Sequence, residues 1–189
     1  MNKVSFIKFH RIILLVAVIA SLAVMTGCFD DPQSTAEKYK EWREKNEAYV
    51  AEQELRTNPD GTPYYVKITP SWAPDAYALV HWYNDRSQTE NNLSPMDNST
   101  VQITYELFDI EGKRLSDSFA ATDSLYTSRP SQNIIGVWAP LTHMNVGDSV
   151  AIVIPYQAGY GEIGNGSINP YSTLVYNIKL KNIKAYEVP

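Results

Sequence analysis

The chain has 189 residues, with 16 basic and 21 acidic side chains and a formal net charge of −5. This length suits one sizeable folded core and excludes two ordinary domains joined by linkers. The acidic balance disfavours nucleic-acid binding, in which neutralisation of phosphates dominates the affinity. Because Cys28 is the one cysteine, no disulfide within the chain can support the fold.

The first 27 residues are predicted to be a secretory signal. Basic residues precede residues 12–27, an apolar run without a charge that is shorter than the roughly 20 residues of a spanning helix. The run ends in "MTGC", which resembles a bacterial lipoprotein cleavage box and implies cleavage before Cys28 and acylation of its thiol. We therefore expect a lipid-anchored protein of the bacterial cell envelope, on the outer membrane. Its periplasmic and surface faces are both possible locations. The alternatives are an uncleaved anchor and an ordinary signal followed by an incidental thiol.

Residues 28–63 are interpreted as a leader that carries one helix, over residues 34–56. Strong helix formers and a capping residue at Ser34 or Thr35 support this helix. Its apolar residues are few, which favours a mostly solvated spacer between the anchor and the domain. The alternative is a helix that forms a homodimer or cradles a client polypeptide.

From residue 64 to residue 189 the pattern changes to that of one α+β domain. A turn cluster, "NPDGTP", precedes it. Beyond this turn, apolar residues recur at every second position, as in a β-strand. Strands are predicted over residues 64–68, 77–84, 100–109, 149–154 and 172–186, and one short helix falls late in the order. Residues 116–132 show little period and are predicted as a loop.

Ordinary catalytic motifs are missing from the sequence. Its three histidines have no metal-ligand spacing, and the chain contains no HExxH, P-loop or GxSxG motif. A hydrolase or a metalloenzyme is therefore disfavoured. The many tyrosines, tryptophans and phenylalanines suit either a plain core or a pocket with apolar walls.

Three segments of the second half carry a family resemblance. "HMNVGD", "IPYQAGYG" and "STLVYNIKL" resemble, in order and in spacing, the FKBP-type peptidyl-prolyl cis-trans isomerases. The resemblance is best over residues 100–186. It implies an antiparallel sheet wrapped around one short helix, with a pocket for a proline-containing polypeptide between them. It implies no cofactor and no metal, and it agrees with the absence of classical catalytic residues.

The resemblance also implies site residues. Tyr160 matches the loop tyrosine whose hydroxyl bonds a carbonyl of the bound peptide, and the backbone amide of Ile134 or Ile135 matches a second donor. Together with Tyr105, these residues are the predicted catalytic set. The predicted substrate-binding residues are Leu115, Ser116, Asp117, Val137, Trp138, Ile168 and Tyr176.

The sequence departs from the family pattern at three places. Leu115 and Ser116 stand where the family usually has Phe-Asp, and Asp117 comes one place late. The tryptophan of the pocket floor matches Val137 in an ungapped register, whereas Trp138 would require a deletion inside the helix. Residues 119–132 lack the family's aromatic-rich strand, and Tyr126 is a candidate for the missing aromatic wall. These changes predict a wider pocket or a lower activity on an intact fold.

The primary hypothesis is therefore a lipid-anchored prolyl isomerase that assists the folding of exported proteins. A second hypothesis is a catalytically weak FKBP-like lipoprotein that acts as a chaperone or binds clients. A third is an envelope lipoprotein that binds small molecules or glycans.

Overall fold

The computed structural model describes residues 32–120 and 123–187. The predicted signal peptide and Cys28 lie outside these residues. The chain divides into two compact units, of which the second begins at Lys38. Within the first unit the structure describes most of one short helix, α1 (Pro32–Lys38). In the described part of the chain, no helix combines the length and the apolar character needed to cross a bilayer.

In its described residues, 38–120 and 123–187, the second unit contains an antiparallel sheet, two α-helices and three short 3₁₀ helices. The strands are β1 (Val66–Ile68), β2 (Ala78–Trp82), β3 (Thr100–Phe108), β4 (Arg114–Asp117), β5 (Tyr126–Ser128), β6 (Ser149–Ile154) and β7 (Leu174–Ala185). Their order in the sheet is β1-β2-β6-β7-β3-β4, and β5 also pairs with β3. The α-helices are α2 (Lys40–Leu55) and α3 (Ile135–Leu141), and the 3₁₀ helices span Arg86–Gln88, Pro130–Gln132 and Tyr156–Ala158. The predicted α+β class with an antiparallel sheet and a preceding helix is confirmed.

The sheet is covered on both faces around β6. Side chains alternate between the faces of a strand, and Val150, Ile152 and Ile154 enter the main core whereas Val153 lies on the opposite face. Helix α3 adds Val137, Ala139 and Leu141 to the main core. Because both faces are covered, β6 is a nearly continuous apolar run rather than an alternating one.

Helix α3 approaches β6 closely at Gly136. A Cβ atom at this position would lie 2.2 Å from Cγ2 of Ile154, so any larger residue would push the helix away from the strand. This contact fixes the depth at which α3 lies in the domain, and with it the position of the adjacent Val137.

The N-terminal helical segment differs from the prediction. One helix was expected over residues 34–56, but the structure has a turn at Tyr39 between α1 and α2. Helix α2 is also not a solvated spacer, since Asn46, Val50 and Gln53 are buried, and Val50 packs with Leu79 and Val153. The predicted domain boundary after residue 63 and the homodimer through this segment stay predictions.

Candidate active site

A cavity of about 510 Å³ opens between α3, the sheet and the loop that follows β6. Strands β3 and β7 form one wall. They pair with Tyr105 opposite Ile178 and Leu107 opposite Tyr176. Because alternate residues of a strand share a face, these four side chains lie on the same face of the sheet. The remaining walls come from β4, β5, α3 and the loop. The lining residues are Ile103, Tyr105, Leu107, Leu115, Ser116, Tyr126, Gln132, Asn133, Ile134, Val137, Tyr160, Asn165, Gly166, Ser167, Ile168, Tyr176 and Ile178.

The floor of the cavity is aliphatic. Ile103, Leu107, Val137 and Ile178 are each at most 3 % exposed and belong to the main core of the domain. The floor is therefore built from the same packing that stabilises the fold, and it offers an apolar surface to a bound group.

Four tyrosines surround this floor. The ring of Tyr105 lies 5.9 Å from the ring of Tyr176 and 5.6 Å, edge to face, from the ring of Tyr126. Burial, together with the neighbouring phenols of Tyr160, Tyr105 and Tyr126, raises the pKa of Tyr176. The hydroxyl of Tyr176 therefore stays protonated at neutral pH and is a potential hydrogen-bond donor.

Glycines shape the loop that carries Tyr160. Gly161 adopts a left-handed φ of +64°, and its amide donates to the carbonyl of Tyr156 at 2.9 Å. Gly164 has a φ of +77°, and a Cβ atom there would lie 2.3 Å from the carbonyl oxygen of Ile168. The tight path of this loop brings both Tyr160 and Ile168 to the cavity.

The lining residues are uncharged. Leucine, isoleucine, valine, tyrosine, serine and side-chain amides supply the whole described lining, and glycine completes it. Among residues 32–120 and 123–187, no group of histidine, cysteine, aspartate and glutamate has the arrangement of a metal site. The cavity can thus desolvate and orient a bound group, and its hydroxyls and amides can donate or accept hydrogen bonds.

Comparison with known proteins identifies the domain that holds the cavity. The model of the FKBP-type peptidyl-prolyl cis-trans isomerases matches residues 91–181, which include every residue of the cavity lining given above. Residues 91–181 therefore form an FKBP-type peptidyl-prolyl cis-trans isomerase domain. It is similar to the FKBP-type peptidyl-prolyl cis-trans isomerase FkpA of Escherichia coli K12, with 26% identity over 155 residues. That match covers 82% of this chain and 48% of the relative, so the chain spans about half the length of the curated relatives it matches.

Two solved structures share the fold. The crystal structure of FkpA from Escherichia coli gives a TM-score of 0.64 at 20% identity and covers 99% of this chain and 75% of that one. A peptidyl-prolyl cis-trans isomerase from Pseudomonas syringae gives a TM-score of 0.61 at 20% identity, with 77% and 95% of the two chains covered. At 20% identity, these two structural similarities support only the FKBP fold.

Most of the residues that the family resemblance assigned to the pocket meet at the cavity. They are Tyr105, Leu115, Ser116, Ile134, Val137, Tyr160, Ile168 and Tyr176. Ile135, Asp117 and Trp138 do not line it. Ile135 is the first residue of α3 and packs against the main core instead. Ile134 and Ile135 stand at the start of a helix, where backbone amides have no acceptor within the helix.

Trp138 lies on another side of α3 from the FKBP pocket floor. Its indole N–H donates to the carboxylate of Asp97 at 2.5 Å, and its ring lies 4.1 Å from the ring of Trp72. One residue along a helix turns the side chain by about 100°. Val137 therefore forms part of the floor in the ungapped register, and Trp138 does not.

The carboxylate near the family's Phe-Asp position also points away from the cavity. Asp117 accepts a hydrogen bond from the amide of Phe119 at 2.8 Å and lies 3.5 Å from the guanidinium of Arg114. Ser116 lines the cavity in its place, and its hydroxyl lies 3.0 Å from the hydroxyl of Tyr105. A neutral pair of hydroxyls thus stands at this wall.

Two kinds of lining residue were not among those predicted from the sequence. Ile103, Leu107 and Ile178 could have been found, because they alternate with the predicted face of β3 and β7. The polar residues Gln132, Asn133, Asn165 and Ser167 lie outside the strands and α3, where no period points to a site. Tyr126, the candidate for the missing aromatic wall, does line the cavity.

Proposed function

We propose that this chain is a peptidyl-prolyl cis-trans isomerase whose reaction takes place in the cavity. The uncharged cavity with Tyr160 at its edge is the observation that carries this proposal. Rotation about a peptide bond is opposed by a barrier of about 18–20 kcal/mol, because resonance gives the bond partial double-bond character. No covalent bond breaks in this rotation, so neither a nucleophile nor a metal is required.

The roles of the lining residues follow from this chemistry. The aliphatic floor around Val137 takes the prolyl ring, and burial removes water from the carbonyl before the proline. A less hydrated carbonyl favours the twisted, less conjugated amide, and every 1.36 kcal/mol of preferential stabilisation raises the rate tenfold. The hydroxyl of Tyr160 donates to a carbonyl of the peptide, and a backbone amide at the start of α3, from Ile134 or Ile135, donates to a second one.

The site of action that we propose is the bacterial envelope. The apolar run of residues 12–27 and the "MTGC" sequence support export followed by acylation of Cys28. Uncatalysed X–Pro isomerisation takes tens to hundreds of seconds, so newly exported proline-containing polypeptides are suitable clients. An acyl anchor would hold the chain at the membrane surface by burying its hydrocarbon.

A second candidate function is client binding with little turnover. The observation that favours it is the aliphatic character of the positions where the family has aromatic residues, since both Leu115 and Val137 line the cavity. Less aromatic area gives weaker contact with a prolyl ring. A protein of this kind would suppress aggregation of unfolded clients without accelerating their proline-limited steps.

A refolding assay separates the two candidates. The soluble chain lacking residues 1–28 is added to a protein whose refolding is limited by proline isomerisation. We expect acceleration by the parent and a 3- to 10-fold lower kcat/KM for Tyr160→Phe, the loss of one hydrogen bond. Tyr83→Phe is the matched control, because Tyr83 is exposed, lies outside the cavity lining and bonds Asn177.

The outcomes are distinct. Equal acceleration by the parent and by Tyr160→Phe would overturn the role of this hydroxyl. Refolding at the uncatalysed rate, with aggregation suppressed, would replace the isomerase by the client-binding protein.

A further inference from the structure

The loop that lines the cavity is closed at its base by two residues. We call residues 160–171 the cavity loop; it contributes Tyr160 and residues 165–168 to the lining. The amide of Tyr171 donates to the carbonyl of Gly161 at 2.9 Å, which joins the two ends of the loop. The position of Tyr171 therefore determines where the loop returns to the sheet, immediately before β7.

Tyr171 has a backbone conformation that needs external support. Its φ is +60°, in the left-handed region that a bulky residue rarely adopts, and its side chain is only 2 % exposed. Such a conformation persists where the surroundings hold it in place. One neighbour is the ring of Tyr156, whose centroid lies 5.3 Å from that of Tyr171, edge to face.

Helix α2 supplies the other support. The guanidinium of Arg43 lies over the ring of Tyr171, 5.5 Å from its centroid, within the range of a cation–π interaction. The indole N–H of Trp42 donates to the hydroxyl of Ser172 at 3.0 Å. Two consecutive residues of α2 thus contact two consecutive residues at the end of the cavity loop.

Asn46 makes the innermost contact between the two segments. It is fully buried, and its side-chain oxygen accepts the amide of Thr173 at 2.6 Å. Its side-chain nitrogen donates to the carbonyl of Trp42 at 2.7 Å, so the amide group is held in one orientation. The hydroxyl of Thr173 completes the contact at 3.4 Å from the carbonyl of Asn46. Since a buried amide left without an acceptor is costly, Asn46 fixes the point at which the loop joins β7.

We propose that helix α2 is a positioning element of the active site. Trp42, Arg43 and Asn46 hold residues 171–173, and these hold the cavity loop in the conformation that presents Tyr160 and Ile168 to the substrate. These three helix residues precede residues 91–181, the segment that the family model matches. The effect on catalysis rests on the proposed isomerase function, whereas the effect on the loop does not.

The proposal predicts a change in substrate affinity rather than in turnover. If Asn46→Ala lets the loop leave its binding-competent conformation, the apparent affinity falls in proportion to the competent fraction. We expect KM for a short X–Pro peptide to rise 3- to 10-fold with kcat changed less than twofold. We also expect hydrogen exchange at Gly161, Tyr171 and Thr173 to accelerate at least tenfold. Trp42→Phe, which removes only the bond to Ser172, is expected to shift both quantities in the same direction and by less.

Val50→Ala is the matched control for lost stability. Val50 lies on the same helix but packs against Leu79 and Val153 on the sheet, and it makes none of the contacts with residues 171–173 described above. We expect this variant to lower the unfolding midpoint and to leave KM and the loop exchange rates unchanged. All variants are measured in the chain lacking residues 1–28, with the folded fraction determined in each case.

Two results would overturn the proposal. One is unchanged loop exchange and unchanged KM in both Asn46→Ala and Trp42→Phe. The other is a change of KM and of loop exchange in Val50→Ala as large as the change in Asn46→Ala, when the two variants are equally stable. A parent chain without isomerase activity would contradict the proposed function instead, and loop exchange would still decide whether α2 positions the loop.

Discussion

At the scale of single residues, the floor of the cavity depends on which of two adjacent residues of α3, Val137 or Trp138, faces it. Val137 forms part of the floor, and Trp138 packs against Trp72 with its indole bonded to Asp97. A substitution at either position therefore has a distinct expected effect. The first changes the surface that contacts a bound peptide, and the second changes only the outer side of α3.

We expect Val137→Trp to tighten peptide binding. A larger aromatic floor reduces the void beneath a prolyl ring, so KM for a short X–Pro peptide should fall about 3- to 10-fold. Overpacking is expected to lower the free energy of unfolding by about 1–3 kcal/mol. Steady-state kinetics together with urea denaturation check both effects. Trp138→Phe, which leaves the floor intact, should keep KM unchanged; a larger change in Trp138→Phe than in Val137→Trp would contradict this assignment of the floor.

A buried carboxylate makes stability depend on pH. Asp148 is fully buried, and burial alone would raise its pKa. Hydrogen bonds from the amide of Asn145 and the side chains of Thr89 and Asn84, together with the charge of Arg86, lower the pKa of Asp148 below its usual value. Unfolding therefore takes up a proton in acid. The stabilisation is complete above the ordinary pKa, about pH 4, and is lost as the pH falls through the depressed folded value.

We expect Asp148→Asn to be less stable by about 2–4 kcal/mol at pH 7, because in either orientation its NH2 group would face a donor, the N–H of Asn145 or the side-chain N–H of Asn84. Its stability should also fall less steeply in acid than that of the parent. Urea unfolding between pH 2 and pH 7 measures both, with the exposed Asp75→Asn as the control. A parent-like acid slope in Asp148→Asn would show that Asp148 does not carry this pH dependence.

At the scale of secondary structure, two helices on opposite faces of the sheet determine the cavity. Helix α3 brings Val137 to the floor, and α2 holds the end of the cavity loop. The approach of α3 to β6 is limited by Gly136, where a Cβ atom would overlap Ile154. The sheet itself is a common scaffold for both helices.

We expect Gly136→Ala to displace α3 and to weaken peptide binding together with stability. Overpacking of this kind costs about 1–3 kcal/mol. Ile154→Ala removes the two closest carbon atoms, so the double variant should lose less stability than the sum of the single variants. A double-mutant cycle by urea denaturation tests this coupling, and strictly additive losses would contradict the contact.

The elements that could be predicted from the sequence are those with a clear period. Strands β3, β6 and β7 and the short helix follow from their apolar patterns and from the family resemblance. Strands β4 and β5 were missed, since they have four and three residues and show too little alternation to identify. The packing of α2 was also missed, because its buried face includes the polar residues Asn46 and Gln53, which an apolar pattern does not reveal.

The site residues that lie in or near the family motifs could be predicted from the sequence. Tyr160, Val137 and Tyr176 could be placed by matching short segments in an ungapped register. The orientation of Asp117 could not, because it depends on bonds to Arg114 and Phe119 that only the folded backbone brings together. The contacts of α2 with residues 171–173 join positions more than 120 residues apart, so no local pattern predicts them.

At the scale of the whole molecule, the proposed lipid anchor gives a prediction of its own. The full-length chain expressed in a bacterial host should incorporate labelled palmitate and partition into a detergent phase, because the acyl chains add buried hydrocarbon. Cys28→Ser should incorporate no label and remain in the aqueous phase after signal cleavage. Equal partition of both proteins would contradict acylation of Cys28 and favour an uncleaved anchor or an ordinary signal.

In the proposed mechanism, an uncharged cavity lowers the barrier to X–Pro rotation without acid, base or metal. Exchange NMR on a short X–Pro peptide measures this rotation directly, by the growth of cross-peaks between the cis and trans forms. With a catalytic amount of the chain lacking residues 1–28, we predict exchange far above the uncatalysed rate, unchanged by a metal chelator and from pH 6 to pH 8, and reduced in Tyr160→Phe. Exchange at the uncatalysed rate, even with the peptide bound to the cavity, would show that the cavity does not lower the rotation barrier.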